Sequence, residues 1–249
     1  MHVYRWVLPV ICLVLAGFGA WLPTARSESL PTAPSGADPL GSSTATPQAS
    51  VQADSPAASI KAGAERVRLY GCAVCHGYAG NSANPAYPNL AGQDATYLAT
   101  QLNNFKSGTR KNQLMRGMAS VLSPSEMRDV ARFFAHQRVV PPSDNGRAES
   151  DVAAATLFSS GDGHRGIPAC AACHGVDGMG KADVAPRVRG QQVDYLRATL
   201  TAWHDGATWG ASGQASVMPE IARKLTSADI NRLAVYMRNL GHGSADTPR

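Results

Sequence analysis

The chain has 249 residues and a mass of 26.1 kDa, enough for one large domain or two small ones. Hydrophobic residues make up 44% and charged residues 16%, which indicates a folded chain, and the longest apolar run, at the N-terminus, excludes a polytopic membrane protein. The formal charge of +5 falls to +3 without residues 1–26, and the charges are interspersed with no Lys/Arg tract, so nucleic acid is not a favoured partner.

The first predicted element is an export signal over residues 1–26. A short positive start (His2, Arg5) is followed by an apolar stretch from Trp6 to Leu22 and then by Pro23-Thr24-Ala25-Arg26. The stretch is nearly long enough to span a bilayer, and no clean small-residue cleavage site follows it. The leader is therefore either removed or kept as an inner-membrane anchor. Cys12 lies inside the apolar region and lacks a lipobox before it. Residues 27–59 are rich in Pro, Ala, Ser, Thr and Gly with hardly a large apolar side chain, the composition of a disordered linker.

The rest of the chain is a duplicated module. Cys72-Ala73-Val74-Cys75-His76 reappears as Cys170-Ala171-Ala172-Cys173-His174, and from the cysteines onward the copies align at an offset of 98 without a gap. Gly92-Gln93 meets Gly190-Gln191, Tyr97-Leu98 meets Tyr195-Leu196, and Phe105 meets Trp203. After a five-residue insertion around Ala207–Gly213 the register resumes at 103, so that Met115 meets Met218 and Leu122 meets Leu225. The first domain covers residues 60–138 and the second 151–241, with residues 139–150 between them.

Helices are the only regular elements expected, which makes the fold class all-α. In the first module they run over Ile60–Tyr70, over Asp94–Lys106, and from the capping box Ser123-Pro124-Ser125-Glu126 through Met127, Val130 and Phe134. In the second they run over Asp151–Ser159, over Val193–His204, and from Thr226 or Ser227 through Ile230, Leu233, Met237 and Leu240 to a stop at Gly241.

Two C-x-x-C-H motifs in one chain are not an accident of composition, which would supply on the order of 0.003 of them. Two thiols at this spacing can both form thioethers to one haem, and the adjacent histidine then lies under the iron. A zinc site would draw four ligands into one cluster, whereas these pairs lie 98 residues apart, each with its own histidine. A thioredoxin-like dithiol would follow a strand, and none is expected. Cys72, Cys75, Cys170 and Cys173 are therefore read as the covalent attachment points of two haem c groups, with His76 and His174 as proximal iron ligands.

A low-spin electron carrier needs a sixth ligand, and methionine raises the potential relative to histidine. Met115 and Met218 occupy equivalent positions, each seven residues before a leucine and a helix cap, in what reads as a loop ahead of the last helix. Met118 is the rival in the first module, but its equivalent, Ile221, cannot ligate iron. Met127 and Met237 fall on helix faces and read as core, and Met179 has no matched partner. Pro88 and Pro186 offer carbonyls that could orient the proximal rings. His136, His164, His204 and His242 are unmatched; His164 stands in a Gly-rich insertion before Cys170.

These residues resemble the cytochrome c4 family, dihaem proteins of two class I cytochrome c domains. The resemblance covers roughly residues 60–241 and includes Tyr87-Pro88-Asn89-Leu90-Ala91-Gly92-Gln93, the similar stretch Ala185–Gln192 and the insertion Gly161–Pro168. It implies His/Met ligation at both irons, haems facing each other across a pseudo-twofold interface, a periplasmic location, and electron delivery from a membrane-bound donor towards a terminal oxidase. Two departures bear on the partner: the long linker before Ile60, and Arg187-Val188-Arg189 where the first copy has Asn89-Leu90-Ala91. The competing expectations are a dihaem enzyme of thiosulfate dehydrogenase or peroxidase type, and a haem subunit of a larger dehydrogenase.

Overall fold

The computed structural model describes residues 55–141, 151–210 and 213–241. The leader, the linker up to residue 54, residues 142–150 of the connecting segment and His242 lie outside the described residues. Among the described residues no helix is long and apolar enough to cross a membrane.

Two helical lobes follow one another. The first consists of α1 (Pro56–Leu69), α2 (Ala73–His76), α3 (Ala95–Ser107), α4 (Gln113–Ser120) and α5 (Pro124–Ala135). The second repeats the order as α6 (Val152–Ser160), α7 (Ala171–His174), α8 (Val193–His204), α9 (Gln214–Ala222) and α10 (Ser227–Asn239). No strand occurs among the described residues; Asp162 with Ile167 and Lys181 with Ala185 form isolated bridges only.

Caps fix the helix ends. Both expected capping boxes are formed, by Ser123 with Glu126 and by Thr226 with Asp229. Each box acid also holds an arginine from outside its helix, Arg66 at 2.8 Å from Glu126 and Arg165 at 2.7 Å from Asp229. The second pair ties the Gly-rich insertion to α10. His164, in that insertion, is exposed.

Three boundaries differ from the sequence reading. Helix α1 starts at Pro56, inside the segment read as linker, because Ser55 accepts the Ala58 N–H and proline suits the first helical position. Residues 139–141 remain with the first lobe: Val139 is buried and the Val140 N–H donates to Asn81 Oδ1 at 2.9 Å. Met115 and Met218, placed in loops by the sequence, lie on helices α4 and α9. Gly117 and Pro219 disguise these helices. Asn112 caps α4 by accepting the Met115 N–H, while α9 tolerates the buried Pro219 that costs it one backbone bond.

Each lobe closes its terminal helix over a core. In the first, α1 and α3 pack on α5 through Val67, Leu98, Val130, Phe133 and Phe134. Gly63 lets α1 approach closely, since a Cβ there would lie 2.1 Å from the Asp129 carbonyl oxygen. A neighbouring cluster of Phe105, Ala119, Leu122 and Met127 receives Met115. In the second lobe one cluster, including Leu157, Phe158, Leu196, Leu233 and Met237, receives Met218.

Candidate functional site

The two C-x-x-C-H motifs adopt the same local structure. In each, the first cysteine caps a single helical turn that ends on the histidine, and a glycine with positive φ (Gly77 at 73°, Gly175 at 81°) turns the chain away. A side chain at 77 would bring a Cβ to 2.4 Å from the Asn81 carbonyl. Both imidazoles are buried, with 7% and 8% of their surface exposed. His76 Nδ1 meets the Pro88 carbonyl at 3.0 Å, and His174 Nδ1 meets that of Pro186 at 2.8 Å. A backbone carbonyl accepts only, so Nδ1 carries the proton and Nε2, which has no hydrogen-bond partner among the described residues, presents its lone pair. Burial pushes the pKa of both rings down against the opposing pull of the carbonyls, favouring the neutral form that can ligate a metal.

The thiols are unbridged. Burial pushes Cys72 up and Cys170 up to about 11, opposite to the depressed pKa of a redox dithiol. Among the described residues no three His, Cys, Asp or Glu side chains converge as a metal cluster. The Tyr87 ring stands edge-on to His76 at 6.1 Å between centroids, and its hydroxyl lies against Cys75. Met115 and Met218 are half-buried, each on the short helix before the capping box of its lobe.

The lobes meet through a symmetric exchange of amides. Residues 89 and 187 are equivalent, as are 93 and 191. Gln93 accepts the Arg187 N–H and donates to the Arg187 carbonyl, both at 2.9 Å. Gln191 accepts the Asn89 N–H at 2.7 Å and donates to the Asn89 carbonyl at 2.9 Å. Gln192 adds a bond to the Ser82 carbonyl at 2.8 Å. The pairing obeys a local twofold axis, the arrangement of an isologous interface.

Beside this seam lies an arrangement that the sequence reading missed. Arg110 is 8% exposed, and its guanidinium packs 3.3 Å from the Trp209 ring centroid, donating to Gln101 Oε1 and the Tyr195 hydroxyl. Among the described residues it has no carboxylate partner. Trp209 comes from the five-residue insertion of the second module, so that insertion covers a cation of the first. Burial raises the pKa of Tyr97, the equivalent of Tyr195, so its hydroxyl stays protonated. Trp203, on α8, buries Nε1 without a hydrogen-bond partner among the described residues. A buried unpaired cation and an orphaned indole N–H are costly unless an anion is bound nearby. The donor set therefore fits haem, which brings two carboxylates with its iron.

The Cytochrome c family model matches residues 60–137 and 154–241. A cytochrome c4 from Pseudomonas aeruginosa is 36% identical over 172 residues, covering 68% of this chain and 83% of that protein. A thiosulfate dehydrogenase electron acceptor from Stutzerimonas stutzeri is 37% identical over 172 residues, covering 68% and 79%. The crystal structure of reduced recombinant cytochrome c4 from Pseudomonas stutzeri superimposes with a TM-score of 0.65 at 33% identity, over 73% of this chain and 98% of that one.

Proposed function

Because this chain belongs to the cytochrome c4 family of electron-transfer proteins and carries two covalently bound haem c groups, we propose that it passes single electrons between protein partners in a bacterial periplasm, from a membrane-bound donor towards a terminal oxidase. Each haem iron supplies a one-electron change between its ferric and ferrous states. Cys72 and Cys75 hold the first group by thioethers, and Cys170 and Cys173 the second. His76 with Met115 would ligate the iron of the first group, and His174 with Met218 that of the second.

One observation carries this reading: in both lobes a buried imidazole is oriented by a proline carbonyl and keeps Nε2 free. The Pro88 and Pro186 carbonyls fix each ring's tautomer and direction, and burial keeps water from the same position. Arg110 and the Trp203 indole N–H supply donors for carboxylates. The Gln93 and Gln191 amides hold the two lobes in one relative orientation, so little rearrangement accompanies a change of charge. The relative named as an electron acceptor for thiosulfate dehydrogenase supports a dehydrogenase as the alternative electron source, in place of an enzymatic role for this chain.

The test is ligand occupancy. Mass spectrometry of denatured holoprotein should retain two haems, and Cys72→Ala with Cys75→Ala should lose one. The reduced unmutated protein should not bind carbon monoxide, whereas Met115→Ala should open one haem and Met218→Ala the other; Met118→Ala should open neither. Carbon monoxide binding by the unmutated protein would move an enzymatic reading ahead. Fractionation that recovers the chain in the cytoplasm would remove the periplasmic assignment.

A further inference from the structure

The two methionine-bearing helices are equivalent in position and differ in surface character. Residues 55–141 hold ten Lys and Arg against four Asp and Glu, while residues 151–241 hold nine against eight. The excess is concentrated: between Asp94 and Glu126 there are four basic residues and no acid. Two of the four are committed, Lys106 to the Leu122 carbonyl and Arg110 to the buried cluster. Lys111, just before α4, and Arg116, in its middle, are exposed and form no ion pair among the described residues.

Helix α4 also exposes apolar surface. Leu114, Met118 and Val121 fall at i, i+4 and i+7 and so share one side. Leu114 is 55% exposed, Val121 is 59% exposed, and Met118 is half-buried between them. The core gives no reason to leave two large aliphatic side chains in water on the helix that bears Met115. The matching side of α9 is different. Val217 corresponds to Leu114, but Ile221 packs into the core, Lys224 replaces Val121 and is tied to the Gly166 carbonyl at 2.7 Å, and Glu220 adds a negative charge.

We propose that the α4 face of the first lobe, with an apolar stripe of Leu114, Met118 and Val121 beside unpaired Lys111 and Arg116, docks a redox protein whose matching surface is acidic around an apolar centre. An apolar contact within a charged rim suits a transient complex, in which opposite charge accelerates encounter and apolar area supplies the short-lived contact. On α9 the matching face breaks the stripe at Ile221 and Lys224, and Glu220 offsets the neighbouring Arg223, so this face takes a partner of different surface. Electrons thereby have a defined entry or exit at the first lobe. The inference rests on the electron-carrier reading above and gives Met118 a role other than ligation.

The experiment titrates isotopically labelled, haem-loaded full-length protein with a synthetic glutamate- and leucine-rich peptide and follows amide shifts. Perturbed resonances should cluster over residues 111–121, and affinity should fall steeply with salt. Lys111→Glu with Arg116→Glu should weaken binding about tenfold. Leu114→Ser with Val121→Ser should weaken it at constant net charge, and Arg223→Glu on the second lobe should leave it unchanged. All variants should keep the parent absorption spectrum, which separates a docking defect from a folding one. Shifts centred on the second lobe, or insensitivity to the Lys111/Arg116 pair, would overturn the proposal. So would tight binding of phosphatidylglycerol vesicles lost with the same pair while the peptide fails to bind, or self-association through α4 in sedimentation. Carbon monoxide binding by the same reduced protein would instead defeat the carrier reading and leave the peptide map standing.

Discussion

Replacing Gln191 with Ala should uncouple the lobes, and the structure sets the size of the effect. The Gln191 amide accepts the N–H groups of Asn89 and Gln192 and donates to the Asn89 carbonyl, three bonds at 2.7 to 2.9 Å. At about 1 kcal/mol net for each, with the Asn89 backbone left partly unpaired in the seam, the loss is about 3 kcal/mol. For a folded unit of this size that lowers the melting temperature by about 6–12 °C. Gln93→Ala removes the equivalent three bonds, to Arg187 N, Arg187 O and Asp94 N, and should cost the same within about 1 kcal/mol. Urea titration and thermal scans of the holoprotein, followed by far-ultraviolet circular dichroism and haem absorbance, measure both. The double variant should melt in two steps, one per lobe, where the parent melts in one. Gln137→Ala is the control, because its amide bonds only the Phe133 carbonyl within the first lobe. If Gln191→Ala costs no more than Gln137→Ala and the single transition persists, the amide exchange is not what joins the lobes.

Gly63→Ala should lose about 1–3 kcal/mol in urea, because backbone and Phe133 Cβ crowd the added methyl, whereas Gly117→Ala, facing open space in α4, should be neutral or gain up to about 1 kcal/mol. Backbone and hydroxyl hydrogen bonds from Ser123, and then the Tyr70 hydroxyl, hold Glu126 at about 2, below its ordinary 4.5. Its contribution is therefore complete above pH 4.5 and is lost as pH falls through 2, so Glu126→Gln should flatten that acid limb of a stability-against-pH curve. An unchanged limb would show that the capping-box carboxylate does not govern acid stability. Trp209→Ala should cost about 2 kcal/mol by uncovering the desolvated Arg110, with Trp209→Phe retaining part of it, both read from urea midpoints.

The chemistry of this protein is written in short sequence patterns, because covalent attachment and proximal ligation need residues at fixed separations. Two C-x-x-C-H motifs, two capping boxes, and prolines twelve residues beyond each histidine are local or repeated features, and the carbonyls of Pro88 and Pro186 do face the rings. The duplication supplied what one copy could not, pairing Met115 with Met218 and setting Met118 against Ile221.

Tertiary structure decided what depends on residues far apart in the chain. Helices α4 and α9 read as loops because Gly117 and Pro219 oppose helix formation locally; burial of Ala119 and packing of the half-buried Met115 and Met218 against the cores override that preference. The first turn of α1 was concealed in a small-residue segment whose Ser59 turns inward to hydrogen-bond with Asp129 and Arg132 of α5. The amide exchange and the Arg110–Trp209 stack join residues about a hundred positions apart, and neither glutamine nor tryptophan carries a pattern that names its partner. Backbone propensity and covalent spacing act over a few residues and can be read in order; hydrogen bonds across a seam and desolvation of a cation exist only once two separately folded lobes meet.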